Sequence, residues 1–423
     1  MSEDLLPEER SDAGGGSAEG ARGGYGGGGA AEPGPLHGVL VVEFGNLIAA
    51  PYAAMLLADM GARVVKVEPL EGDLGRGFGP YQNGESTFFM MVNRGKESLC
   101  LDTKDWLSKR VLDNVVKKAD VLVHNLRYGA IGRLGFDESR SRELNPRLVY
   151  ASISAFGGEG PYAARPGIDI VFQGESGMIS ITGDPKDGPR KTATTIGDYV
   201  AGTNTAMAIA AALAERPRRG RSIDVSLRDG VMAVQSGWNA LALAADAQPD
   251  RTGTASPYLA PNQVFEAADA PFTLAIVSER HFHLLVEALG LPDLADAYPD
   301  NQTRMAKRQT LTRKLSTVFK TEKADHWVSL LGDVGLPVGH VLELVEALTD
   351  PQARHNEMVV EYDHPLAGKV RTTGSPIHMD GAPARARSMP PTLGSHTRAI
   401  LAEMGVDDAT IDQMISGGTA KAS

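Results

Sequence analysis

The sequence predicts an α/β protein: an open Rossmann-like sheet domain built from N- and C-terminal parts, with a smaller α+β domain between them. Three observations predict it. Short apolar runs rich in Val, Ile and Leu, each the length of one strand, alternate with helical patterns through the first 150 residues. Helix stops of the expected kind, such as Gly61 after Tyr52–Met60, separate them. Beyond residue 256 the pattern changes to a strand pair followed by a run of helices.

Gly38–Phe44 is a buried-strand run, Tyr52–Met60 a helix and Ala62–Glu68 the next strand, together one right-handed βαβ unit. Ligands of such sheets sit at the carboxyl ends of the strands. The turn after the first strand lacks Gly-x-Gly-x-x-Gly, which disfavours NAD. In its place Asn46-Leu-Ile-Ala-Ala-Pro51 offers backbone N–H groups at a helix start, suited to a phosphate or a carbonyl. Asn93 to Lys96 reads as a polar turn carrying two cations, Arg94 and Lys96. A helix from about Asp105 to Lys118 leads to a strand over Asp120–Asn125, with Arg127 just past its end, and Leu148–Ser154 is a further strand. Val200–Ala214 and Leu227–Ala245 are Ala-rich helices. Asn262–Glu266 and Phe272–Val277 pair as strands, helices follow near Arg280–Leu289, Arg304–Phe319 and Lys323–Asp333, and Val359–Arg371 closes as a hairpin. The domains expected are a Gly-rich disordered tail over 1–35, a large domain over 36–225 and 345–418, a linker helix over 226–255 and a small domain over 256–344.

Composition narrows the function. With 42 Lys and Arg against 53 Asp and Glu, the net charge is −11, which argues against a nucleic-acid partner or an anionic lipid surface. The basic run Arg216–Arg221 reads as a solvated turn. No apolar run approaches the roughly 18 residues of a membrane helix. The single cysteine, Cys100, excludes a disulfide within the chain and fits a reducing cytoplasm. His281 and His283, two apart on a helix, point to different faces, so no metal site is expected.

One stretch stands apart: Arg165-Pro-Gly-Ile-Asp169-Ile-Val-Phe-Gln-Gly-Glu-Ser-Gly177. Asp169 opens a helix among apolar neighbours, so it either caps backbone N–H groups or is a carboxylate held partly out of water for chemistry. The window alone leaves both uses open, and capping is the commoner.

The wider chain resembles the family III CoA-transferases of the CaiB/BaiF type, whose fold also hosts α-methylacyl-CoA racemases. The resemblance is carried by Ala49–Ala62, Val65-Lys-Val-Glu-Pro69, Asn93-Arg-Gly-Lys-Glu-Ser-Leu99, Ala119–Asn125, Leu144–Tyr150, Ser154–Gly157, the Asp169 window, Thr195-Ile-Gly-Asp-Tyr199, Arg219–Gly230, Asp350–Arg354 and Pro390–His396. It implies an acyl-CoA:carboxylate CoA-transferase with Asp169 as nucleophile, working through an aspartyl anhydride and an aspartyl-CoA thioester. It implies coenzyme A as substrate rather than resident cofactor, a carboxylic acid as second substrate, and an interlocked homodimer. Asn46, Ile48, Ala49, Lys66, Asn93, Arg94, Lys96, Asn125 and Arg127 are the positions expected to meet CoA. Racemases of this fold carry His before the matching Asp, where this chain has Ile168, so one half of a two-base proton transfer is missing and transfer is favoured. Asp198, the second racemase position, is present and does not decide. The segment Arg251–Asn262 lacks the glycine run of formyl-CoA transferases, which weighs against a formyl/oxalate pair. Ile48 points to a more apolar acyl pocket.

Overall fold

The computed structural model describes residues 34–215, 219–384 and 388–423. The tail expected over 1–35 lies outside the described residues but for Gly34 and Pro35, and so do Arg216 and Arg218 of the basic run.

A 7-stranded sheet organises the chain. Its strands are β1 (Leu40–Phe44), β2 (Arg63–Glu68), β3 (Lys96–Leu101), β4 (Val121–His124), β5 (Val149–Ser154), β6 (Arg221–Ser226) and β7 (Ala420–Lys421), in the order β7-β3-β2-β1-β4-β5-β6. All neighbours are parallel except β7, which runs antiparallel to β3 and brings the end of the chain back to the N-terminal sheet. The order reverses between β1 and β4, where diverging connections open a crevice at the carboxyl ends.

The sheet is apolar on both faces because both are covered. Val41, Val64, Val121 and Val149 pack into one layer with α1 (Ala49–Asp59) and the long helix Ile196–Ala214. Their strand neighbours Val42, Val65, Leu122 and Tyr150 point the other way, toward α2 (Trp106–Lys118) and the C-terminal helices Thr397–Glu403 and Asp408–Ser416. This alternation is the period-two signature of a strand buried on both sides. Asp105 caps α2, its Oδ1 accepting the N–H groups of Leu107 and Ser108.

A separate apolar cluster gathers Phe265, Phe272, Phe319 and Trp327 beneath a three-stranded antiparallel sheet of Asn262–Glu266, Pro271–Ala275 and Val338–His340. The predicted hairpin pairs Val359–His364 with Gly368–Thr373.

Three local expectations are corrected. The helix expected over Leu227–Ala245 is two helices, Leu227–Val234 and Ser236–Ala245. At the break Gln235 turns its side chain back to donate to Val231 O and Ser176 O. The linker helix expected over 226–255 ends at Ala245, followed by Asp246 in the left-handed region (φ 47°). The third concerns the described end of the basic run: Arg221 opens β6 rather than lying in a turn, and Arg219 and Arg221 both grip Glu215.

Candidate active site

Asp169 is the first residue of α3 (Asp169–Glu175), and it does not cap that helix. The N-cap position belongs to Ile168, whose side chain makes no capping bond. Instead the Asp169 carboxyl is held from outside the first turn. Oδ2 accepts from Gln173 Nε2 at 2.6 Å, one helical turn along, and Oδ1 accepts the N–H of Gly197 at 2.9 Å. Gly197 is the second residue of α4 (Ile196–Ala214), so the carboxyl lies at the positive end of a 19-residue helix. Only a glycine fits easily there, since a Cβ at 197 would stand 3.1 Å from Asp169 Oδ1 and 3.2 Å from Val231 Cγ2.

Asp169 is 9% exposed, beside an aromatic floor. Phe172, three residues on, meets Phe156 edge to face at 5.7 Å, and Gly167 runs against the Phe172 ring so closely that any side chain at 167 would collide with it. Arg165 lies over Phe156 and Tyr162 and pairs with Glu175. Asp198 follows Gly197 directly. Burial, with the neighbouring Asp169 charge second, pushes its carboxyl up to about 7.

α4 ties this carboxyl to the loop after β1. Gly202 sits five residues beyond Gly197, about 8 Å along the helix axis, and lies against Ala49 O at the start of α1, where a Cβ would come within 2.8 Å. The rings of Tyr52 and Tyr199 meet edge to face at 4.9 Å across the same contact. Ile48 and Ala49 are buried here. At the strand-order reversal Asn46 and Asn125 clasp each other, Asn46 N–H donating to Asn125 Oδ1 at 2.9 Å and Asn125 Nδ2 to Asn46 O at 2.9 Å. Arg127 stands exposed just beyond β4.

The other predicted CoA contacts are not at this surface. Lys66 and Lys96 have no exposed area. Glu43 takes both ammonium groups at 2.7 Å, Lys66 also pairs with Asp73 at 2.7 Å, and Lys96 donates to Asn93 Oδ1 and Pro51 O. Burial lowers the Lys96 ammonium to about 8 against the pull of Glu43. Asn93 is wholly buried, and Arg94, 3% exposed, forks onto Asp59 at the end of α1. The turn expected at 93–96 is therefore interior, because β3 lies between β2 and β7 rather than at an edge. Lys66 braces the loop after β1 through Gly45 O, while Lys96 holds the first turn of α1 through Pro51 O and Arg94 holds its end through Asp59.

His124 is equally enclosed. Tyr150 gives its hydroxyl proton to Phe136 O, so His124 Nε2 donates to Tyr150 Oη at 3.1 Å, and burial pushes the imidazole down to about 4. His340 ends the strand Val338–His340 and faces Asp325 at 3.5 Å. Among the described residues no cluster of three or more His, Cys, Asp or Glu is placed to hold a metal, and no helix is long and apolar enough to cross a membrane.

Sequence reasoning missed Gln173, Gly197 and Glu43. The signal for Gln173 was its place four residues after Asp169 on one helix face. Nothing local marked Gly197 as a partner, because the contact joins two helices 28 residues apart.

This arrangement, an α/β sheet with a carboxylate presented between helix starts beside the strand-order reversal, has known counterparts. The model of CoA-transferase family III matches residues 36–397. The chain belongs to that family and is an enzyme of it. It is 37% identical over 359 residues to an acetyl-CoA:oxalate CoA-transferase of Acetobacter aceti, covering 82% of this chain and 90% of that one. It is 32% identical over 392 residues to a succinyl-CoA:glutarate CoA-transferase of Mus musculus, covering 91% and 90%. A CaiB/BaiF family protein from Brucella suis has the same fold, with a TM-score of 0.78 at 33% identity over 88% of this chain and 100% of that one.

Proposed function

We propose that the protein moves CoA from an acyl-CoA to a free dicarboxylic acid through covalent chemistry at Asp169. The carboxyl attacks the thioester carbonyl and expels CoA thiolate, leaving a mixed anhydride. The thiolate then attacks the Asp169 carbonyl carbon and releases the first acid, leaving an aspartyl-CoA thioester. The acceptor carboxylate repeats the sequence in reverse. The observation that carries this reading is the holding of Asp169: a helix-opening carboxylate that caps nothing of its own helix and is fixed instead by Gln173 and Gly197.

Dicarboxylic acceptors are supported by the relatives, named for oxalate and for glutarate. The match to an oxalate enzyme returns oxalate to the acids in play, despite the missing glycine run. Racemisation is not favoured, since Ile168 supplies no proton-transfer group and the named relatives are transferases. In this reading CoA runs along the crevice at Asn46, Asn125 and Arg127, with the buried Ile48 and Ala49 beneath it. Lys66 holds the loop from below, and Lys96 and Arg94 hold α1.

A homodimer belongs to this reading. α5 (Leu227–Val234) is followed by α6 (Ser236–Ala245), an apolar helix with none of its residues buried, on which Leu243 is 83% exposed. Leu344 and Val345 are similarly bare on the helix Leu344–Thr349. Apolar faces of this kind fit a second copy of the chain. An exchange assay with labelled oxalate, succinate and glutarate against acetyl-CoA and succinyl-CoA tests the activity. Label entering a CoA thioester supports it, and no exchange with any pair of this class contradicts it.

A further inference from the structure

The two donors on Asp169 differ in kind, and one of them is locked. Gln173 has no exposed surface. Its Oε1 accepts the N–H of Thr192 at 2.9 Å, and its Nε2, besides holding Asp169 Oδ2 at 2.6 Å, reaches Thr194 O at 3.3 Å. A flipped amide would set oxygen against the Asp169 carboxyl and lose both backbone partners, so the orientation is fixed by the network. Gln173 thus presents an N–H to one oxygen of Asp169 from a side chain with no exposed surface.

In the reading above, on which this inference rests, Asp169 is a nucleophile once and then an electrophile. When thiolate attacks its Cγ, negative charge develops on a carboxyl oxygen of Asp169 itself. We propose that Gln173 is a catalytic residue of that second step, its Nε2 being the oxyanion donor for Oδ2, with Oδ1 the oxygen that carries the acyl group. Both oxygens are held by buried donors; in this assignment Oδ2 stays on the locked Gln173 amide and Oδ1 leaves the Gly197 N–H to take the acyl group. The sulfur donates an electron pair to Cγ and the S–C bond forms, while the carbonyl π pair moves onto Oδ2. Collapse restores the double bond and breaks the Cγ–Oδ1 bond. The acid departs as its carboxylate, taking Oδ1, with no net proton change. In the reverse steps an oxygen of the acceptor acid takes the same place. A donor aimed at developing charge in a dry site strengthens in the transition state, and removing one such donor costs on the order of 100-fold in rate.

Rapid quench of the full-length protein with acetyl-CoA or succinyl-CoA and no acceptor, followed by intact mass, separates the two adducts, protein plus acyl and protein plus CoA. The variant used is Gln173→Met, which removes the donor and sets no second charge beside Asp169. Acylation should slow as well, since Gln173 also holds the carboxyl for its first attack, but formation of the CoA adduct should slow about 100-fold more than formation of the acyl adduct. A CoA adduct formed at the wild-type rate, or both adducts slowed by one common factor, overturns the proposal. Wild-type protein carrying no adduct at Asp169 instead overturns the reading beneath it. The infrared carbonyl band of the wild-type thioester, edited with 13C-aspartate, needs no variant: it should lie below that of an aspartyl thioester model in water, and an unshifted band also overturns the proposal.

Discussion

Lys96 Nζ stands 2.7 Å from Glu43 Oε2, and neither residue has any exposed surface. Removing one partner of a buried pair costs about 3–5 kcal/mol when the other is left unmatched, and here Lys66 still holds Glu43 Oε1, which puts the cost at the lower end of that range. Lys96→Met should therefore lower stability by that order in urea unfolding, while the Kd for CoA, measured by calorimetry on the folded variant, moves by less than about threefold. Full stability with a large loss of CoA affinity would return Lys96 to the ligand.

Asp198 adjoins Gly197, whose N–H holds Asp169, and its carboxyl is pushed up to about 7 by burial and then by the Asp169 charge. Its unfolded value is near 3.8. Between those values the native protein binds more protons than the unfolded chain, so this group's contribution to stability is full below pH about 4 and is lost as pH rises through about 7. Asp198→Asn should flatten that fall. In 13C-carboxyl NMR one aspartate should titrate near 7 and shift downward in Asp169→Asn, though only in part, because burial is the larger cause. A protein in which no aspartate titrates above pH 5 contradicts this.

Gly202 lets α4 close on α1. A methyl group there would meet Ala49 O at 2.8 Å and the Tyr52 ring at 3.0 Å. Gly202→Ala should cost about 1–3 kcal/mol through overpacking, seen as a lower thermal midpoint. It should also depress turnover, because the same contact sets the loop after β1 against the helix that holds Asp169. An unchanged midpoint would mean that the two helices separate freely.

The bare α6 face gives a test of assembly. Leu243→Glu places a charge on an apolar surface and should shift the protein toward monomer in sedimentation velocity. An unaltered distribution would remove this helix from any subunit contact.

The sheet was legible in the sequence because β1, β2, β4 and β5 are short runs whose apolar residues, chiefly Val, fall on both faces, as doubly covered strands require, even where Glu43 and Lys66 interrupt them. β6 was not, since Arg221-Ser-Ile-Asp-Val-Ser226 is an edge strand carrying polar residues. Asp169 was legible as a position, through its apolar neighbours and through the family pattern, but its partners were not. Gly197 reaches it only through tertiary packing. The cations misled for a related reason: Lys66, Arg94 and Lys96 were expected to meet CoA, and their burial depends on pairing with Glu43, Asp73 and Asp59, which residue type does not reveal.

The central claim concerns covalent chemistry on one carboxyl. Protein incubated with its acyl-CoA and no acceptor, digested and sequenced by mass spectrometry, should carry CoA on the peptide containing Asp169. Asp169→Ala should carry none and transfer nothing, while still binding CoA. Transfer at an undiminished rate by Asp169→Ala would contradict the account.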